Sequence, residues 1–217
     1  MSRRPPSIYI VGAPSTGKST LVDDLQKHFN ASVIPGVDAP AVVTEVARTV
    51  LKQHNFTRDD ILASFDACLS LQQLILAAQG EAEEAALRQA PWFVSDRSGI
   101  DPIVYASRYA GPGAPESLLQ SADWSILRAR MANSVIVVCE AGVKFLVDDG
   151  VRLMPQDAED WYLMHEAFCK ILSEQGLPYY VLPNNLFERE ERLLLVHSRW
   201  EEARQRPMPV VDIEAKM

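Results

Sequence analysis

The nine residues GAPSTGKST, Gly12 to Thr20, stand directly behind the apolar run Ile8-Tyr9-Ile10-Val11. They fit the pattern G-x-x-x-x-G-K-[ST], which carries a mechanism when a strand precedes it and a helix follows. The apolar run reads as a short buried strand ending at Gly12. Lys18 to Phe29 then sets Leu21, Leu25 and Phe29 on one helical face, with Val22 beside them. Backbone N–H groups from Ala13 to Thr20 can converge on phosphate oxygens, aided by the positive end of the helix. Gly12 and Gly17 permit the backbone angles and the close approach such a turn needs. Gly12, Ala13, Pro14, Ser15, Thr16, Gly17, Lys18, Ser19 and Thr20 are therefore expected to bind a nucleotide's phosphates. Lys18 is expected to reach the β- and γ-phosphates, and the Ser19 hydroxyl to ligate Mg²⁺.

Strands and helices alternate along the rest of the chain. Ala41 to Thr44 reads as a second strand, followed by a helix from about Val46 to His54. Thr57 is a fitting N-cap, with Asp59 and Asp60 in the first turn. The helix it opens is expected to run towards Arg88, with Gly80 as its break. Pro91 to Ser95 forms a third strand ending at Asp96, and Asp101 to Tyr109 a helix. Beyond the GPGAPE loop (Gly111 to Glu116), one helix is expected over Ser117 to Met131. Ser134 to Cys139 is a strand, Asp157 to Gln175 a helix capped by Gly176, and Pro178 to Leu182 the fifth strand. Leu186 to Arg204 closes the series with a helix. The pattern predicts one parallel sheet covered on both faces, in a single domain over residues 1–204, with 205–217 an extended or mobile tail.

Composition narrows the function. A chain of 217 residues with 47% hydrophobic content can bury a core without disulfides. Its net charge of −8 argues against a general nucleic-acid surface. Cys68, Cys139 and Cys169 form no C-x-x-C pair, which fits a reduced, cytoplasmic setting. No run reaches the roughly 18 apolar residues of a membrane span. His165 and Cys169 share a helix face, yet no second ligand pair accompanies them for zinc.

Asp96-Arg97-Ser98-Gly99 satisfies the D-x-x-G pattern of GTP-binding switches. None of the lysines follows Asn or Thr, so the guanine-reading [NT]-K-x-D is missing. Asp96-Arg97-Ser98 also resembles the D/E-R-S step of the deoxyribonucleoside kinases. Thr44-Glu45-Val46-Ala47-Arg48 resembles that family's E-P-V-A-R segment, with Val46 in place of its proline. Asp148-Asp149-Gly150-Val151-Arg152, a following helix and LPYYVLP are similar to the ribosylnicotinamide kinase module of bacterial NAD-biosynthesis regulators. That module belongs to an AAA-type, ATP-binding family shared with eukaryotic phosphoinositide-binding, GTP-binding proteins. The resemblance implies a P-loop NTPase fold with strand order 2-3-1-4-5.

Each candidate side chain has an alternative. Asp96, at a strand end, is suited to hold Mg²⁺ or to cap a turn. Glu45 would project into the crevice where open α/β sheets bind ligands, as a base for a substrate hydroxyl or as a first-turn glutamate. Arg48 could bind substrate or pair with Glu45, and Arg97 could orient the substrate or form a structural ion pair. Arg152 fits a mobile lid closing over the γ-phosphate, or a solvated arginine beside two aspartates. The expected reaction is transfer of phosphate from ATP (or GTP), with Mg²⁺, to a small hydroxyl-bearing acceptor of nucleoside type. The competing expectation is a nucleotide-dependent regulatory protein that binds a lipid or protein partner and hydrolyses slowly.

Overall fold

Strand β1 (Ile8–Val11) is buried from end to end, and its alternating side chains enter two separate cores. Ile8 and Ile10 face one layer of helices, Tyr9 and Val11 the other. A strand with both faces covered can dispense with polar residues, which is why this run is continuously apolar. The computed structural model describes residues 4–32, 34–142, 155 and 157–205.

Along the chain β1 is followed by α1 (Lys18–Ala31), β2 (Ala41–Val43), α2 (Val46–Gln53), α3 (Arg58–Ala63) and α4 (Phe65–Gln89). Then come β3 (Phe93–Asp96), α5 (Ile100–Tyr109), α6 (Ala114–Leu119), α7 (Ala122–Met131), β4 (Val135–Cys139), α8 (Ala158–Glu174), β5 (Tyr180–Leu182) and α9 (Arg189–Gln205). The five strands form one sheet in the order β2-β3-β1-β4-β5, every neighbouring pair parallel. This is the order the resemblance implied.

One core packs α1 and α9 against the sheet through Leu21, Leu25, Phe29, Val196 and Trp200. Phe29, Trp92 and Trp200 form its aromatic centre, with ring centroids 4.8–4.9 Å apart. The opposite core draws on helices α2 to α8, with Leu71, Ile103, Leu127, Trp161 and Phe168 among its members.

Two expected helices are each divided in two, both at serines. Ser64 adopts an extended conformation and its hydroxyl accepts from Ala67 N–H, ending α3 and capping α4. Gly80, the expected break, passes through the middle of α4 without one. Ser121 likewise caps α7 through Trp124 N–H and separates it from α6. In both cases a local hydroxyl cap outweighs helical periodicity, which runs on across the break. Helix α9 also starts later than expected, at Arg189, beyond a turn at Pro183 to Leu186.

Register sets the functional end of the sheet. Ile10 pairs with Asp96, and Val43 with Ser95, so β1, β2 and β3 finish side by side. The residues that follow, Gly12, Glu45 and Arg97, therefore converge at the crevice where parallel sheets bind ligands.

Candidate active site

The Gly12–Thr20 loop is shaped by positive backbone angles at Gly12 (φ 128°), Ser15 (58°) and Gly17 (79°). At Gly12 a Cβ atom would lie 2.6 Å from the Cys139 carbonyl oxygen, so no other residue fits there without moving β4. Lys18 folds into the loop, its Nζ donating to Ala13 O at 2.5 Å and reaching Thr16 Oγ1 at 3.3 Å. Burial, with the Arg97 cation next in weight, pushes the Lys18 ammonium down to about 7. An anion in this cavity would reverse that shift, since opposite charge favours the protonated amine.

Ser19 and Asp96 meet across the strand ends, with Ser19 Oγ donating to Asp96 Oδ2 at 2.5 Å. Asp96 Oδ1 is buried and has no hydrogen-bond partner among the described residues. A hydroxyl and a carboxylate with one oxygen unengaged make a hard, oxygen-only donor pair of the kind Mg²⁺ takes alongside phosphate oxygens. The residues fit that ion.

Beside this pair lies a buried charge array. Arg97 Nη2 is 3.1 Å from Glu45 Oε1, and Arg97 Nη1 is 3.1 Å from Asp101 Oδ1. Arg97 itself sits at φ 91°, a left-handed conformation that is strained for an arginine. The second Glu45 oxygen accepts from Arg48 Nε at 2.9 Å, and the Arg48 side chain is 49% exposed. Asp101 Oδ2 accepts from Ser98 N–H and Ser98 Oγ, which fixes the Asp96-to-Ile100 turn. Burial raises the Asp101 carboxyl above its usual range, against the pull of Arg97 and Lys18.

Two cavities adjoin this array. Residues Ser15 to Thr20, with Arg48 and Arg97, line the phosphate-loop cavity. An apolar pocket lies between α2, α3, α4 and α5, walled by Leu51, Ile61, Leu71, Ile75, Pro102 and Tyr105. Glu45, Arg97, Ser98 and Asp101 supply its polar end, so Arg97 faces both cavities.

Sequence reasoning thus gathered Lys18, Ser19, Asp96, Glu45, Arg48 and Arg97 at one place, and the structure brings all six together. Arg152 and its D-G-x-R segment lie outside the described residues. Three contributors went unnoticed. Asp101 was legible in principle, as a carboxylate three residues after Ser98 at a helix start. Trp161 Nε1 donates to Pro14 O at 3.0 Å, and Arg192 Nη2 donates to Thr16 O at 2.8 Å. Both brace the phosphate loop from more than 140 residues away, and no local spacing announces such a contact.

Comparison with known structures places this geometry. The chain is similar to NadR protein in complex with NR, at 20% identity and a TM-score of 0.66 over 95% of its length. It spans about half of that protein, 54%. It is also similar to shikimate kinase from Acinetobacter baumannii in complex with shikimate (12% identity, TM-score 0.55, covering 93% of this chain and 96% of that one). Thymidylate kinase from Ehrlichia chaffeensis matches at 16% identity and a TM-score of 0.58, covering 89% and 97%. At such identities the likeness speaks for the fold, the P-loop NTPase arrangement of a five-stranded parallel sheet between helices. No curated protein matches the chain. The family model described as "AAA domain" matches residues 7–190, from the start of β1 to the start of α9, and to that family the chain belongs.

Proposed function

We propose that the protein transfers the γ-phosphoryl group of ATP to a hydroxyl of a small acceptor, a nucleoside of ribosylnicotinamide type. One observation carries this reading: Arg97 borders both the phosphate-loop cavity and a second, apolar pocket of its own shape. A hydrolytic switch has no need of a separate pocket for an organic molecule; a kinase must hold its acceptor there.

In this scheme the loop from Gly12 to Thr20 holds the triphosphate and Lys18 bridges its terminal phosphates. Ser19 and Asp96 would hold Mg²⁺, which when bound neutralises charge between the β- and γ-phosphates. The acceptor hydroxyl lies by Glu45 and attacks the γ-phosphorus; the bond to the β,γ-bridging oxygen breaks and ADP leaves. The hydroxyl proton passes to Glu45. Both Glu45 oxygens are engaged by arginines, and Arg48 is the exposed one that can give way. Arg97 stays, orienting the carboxylate and facing the transferring group, where fixed positive charge stabilises the transition state.

The test is ADP release from ATP and Mg²⁺ across a nucleoside panel that includes nicotinamide riboside, with product mass read for each acceptor. Acceptor-dependent release with a matching phosphorylated product, lost in Lys18→Ala, is the expected result. Release indifferent to every acceptor, yet lost in Lys18→Ala, would replace this reading with that of a slow nucleotide-hydrolysing regulator.

A further inference from the structure

We propose that Gln79, at the floor of the apolar pocket, selects acceptors that carry an N–H or O–H donor at the end opposite the phosphorylated hydroxyl. The proposal rests on the kinase reading above and names what its acceptor site recognises.

Gln79 is 1% exposed and lines the pocket from the middle of α4. Its amide cannot rotate freely. Nε2 donates to Glu83 Oε1 at 3.0 Å and to Ser95 Oγ at 3.2 Å. Ser95 Oγ in turn donates its own hydrogen to Arg97 O at 2.7 Å, so towards Gln79 it can only accept. Glu83 is held on its other oxygen by Tyr9 Oη at 2.9 Å, with Arg130 Nη1 at 3.5 Å. Above about pH 7, where Glu83 is ionised and can only accept, flipping the amide would set its oxygen against a carboxylate oxygen and a hydroxyl lone pair. That arrangement has no donor in it, so the acceptor assays are run at pH 8.

The orientation leaves Gln79 Oε1 turned away from that network, buried and without a hydrogen-bond partner among the described residues. A buried carbonyl oxygen left unpaired is unfavourable, and a ligand that supplies the missing donor recovers that cost on binding. The walls around it are mostly aliphatic or aromatic, with Leu71, Ile75, Pro102 and Tyr105, and Gln72, two turns earlier on α4, is the other buried amide in the lining. Such a pocket suits a flat, largely apolar ring. The chemistry therefore specifies a ring bearing a carboxamide, an exocyclic amine or a lactam N–H, with a hydroxyl-bearing sugar or chain reaching Glu45. A carboxylate at the same position offers only acceptor atoms and is rejected. The discrimination is built in through Ser95 and Arg97, two residues apart at the end of one strand, which tie the floor of the pocket to its mouth.

Matched acceptor pairs test this with the full chain: nicotinamide riboside against nicotinic acid riboside, and adenosine against purine riboside. Within each pair one member keeps the donor and the other lacks it. We expect kcat/KM from ADP release to favour the donor-bearing member of a used pair by at least about tenfold. Gln79→Met should abolish that preference, chiefly by raising KM for the donor-bearing member. Because Gln79→Met also removes a partner of buried Glu83, Glu83→Gln serves as the second variant. A residue 83 amide can both donate and accept, so Gln79 becomes free to flip and the preference should shrink. Equal use of both members by the unaltered protein, or a preference that survives in both variants, overturns the inference and leaves the kinase reading standing. If no acceptor is phosphorylated while ATP turnover persists, both fall.

Discussion

Ser19 Oγ and Asp96 Oδ2 lie 2.5 Å apart, joining the first turn of α1 to the end of β3, while the other Asp96 oxygen is buried and has no partner among the described residues. This asymmetry predicts a metal-specific phenotype. Asp96→Asn preserves size and the contact to Ser19 but removes the charge a divalent cation needs. ATP affinity in excess EDTA should change less than about threefold, whereas the tightening brought by Mg²⁺ should fall by at least about tenfold. Titration calorimetry with and without Mg²⁺ separates the two. Equal losses under both conditions would show that Asp96 shapes the loop rather than holding metal.

Lys18 predicts a proton signature. Its ammonium is depressed to about 7 in the free protein, first by burial and then by Arg97. At pH 8 the side chain is therefore mostly neutral, and binding a triphosphate should return it to the charged form. ATP binding at pH 8 should take up about one proton, visible as a binding enthalpy that follows the ionisation enthalpy of the buffer. At pH 8, where the triphosphate is already ionised, that dependence should disappear in Lys18→Met. A buffer-independent enthalpy at pH 8 would contradict the depressed value.

Much of this was readable from sequence, and the limits have physical causes. The loop motif fixes a strand, a turn and a helix within a dozen residues, because its chemistry depends on neighbours. The sheet order came through resemblance, since strand periodicity does not say which strands pair. Short-range competition misled the helix breaks: Ser64 and Ser121 stop helices through hydroxyl caps, whereas Gly80 has nothing within 4 Å of where its Cβ would lie and the helix runs through it. Glu45 and Arg48 stand three residues apart, about one helical turn, and were plausible partners. That Glu45 also pairs with Arg97 is a tertiary fact, as is the bracing of the loop by Trp161 and Arg192.

The two arginines on Glu45 should differ sharply in their effect on stability. Arg97 is buried between Glu45 and Asp101, so Arg97→Met leaves two carboxylates inside the protein without their common cation. Removing one partner of a buried pair typically costs about 3–5 kcal/mol. Arg48 is half exposed, and water replaces its contact, so Arg48→Met should cost less than about 1 kcal/mol. Urea denaturation of the two variants measures the contrast. Similar midpoints would mean that Glu45 and Asp101 are adequately held by their other partners.

Trp161 should act on the nucleotide through the loop backbone. Its indole N–H meets Pro14 O, and the preceding Asp160 pairs with Arg108 of α5, so the first turn of α8 spans both sides of the site. Trp161→Phe keeps the ring and deletes the donor, leaving the Pro14 carbonyl unpaired at a loss of about 1–2 kcal/mol. Nucleotide affinity should drop about three- to tenfold if that bond holds the loop in its binding shape. Trp124→Phe is the control, because its N–H, in α7, donates to Gln175 Oε1 at the C-terminal end of α8, away from the phosphate loop. It should lower stability while leaving affinity alone; equal effects of both variants on affinity would remove the special role of Trp161.

The buried Glu83 beneath the pocket should make stability depend on pH in a definite direction. Burial pushes its carboxyl up to about 7 from 4.5, despite favourable bonds from Gln79, Tyr9 and Arg130. Between those two values the folded chain keeps a proton that the unfolded chain has released. The stabilisation associated with Glu83 is thus fully present below about pH 4.5 and is lost as pH rises through 7, a difference on the order of 3 kcal/mol at most. Glu83→Gln never ionises and escapes that loss. The melting temperature of Glu83→Gln relative to the unaltered protein should accordingly rise from pH 5 to pH 8, whatever its absolute offset from the repacked amide. Thermal melts in matched buffers across this range decide the matter: a constant offset would mean that Glu83 is ionised throughout, with Arg130 and Tyr9 compensating its charge in full.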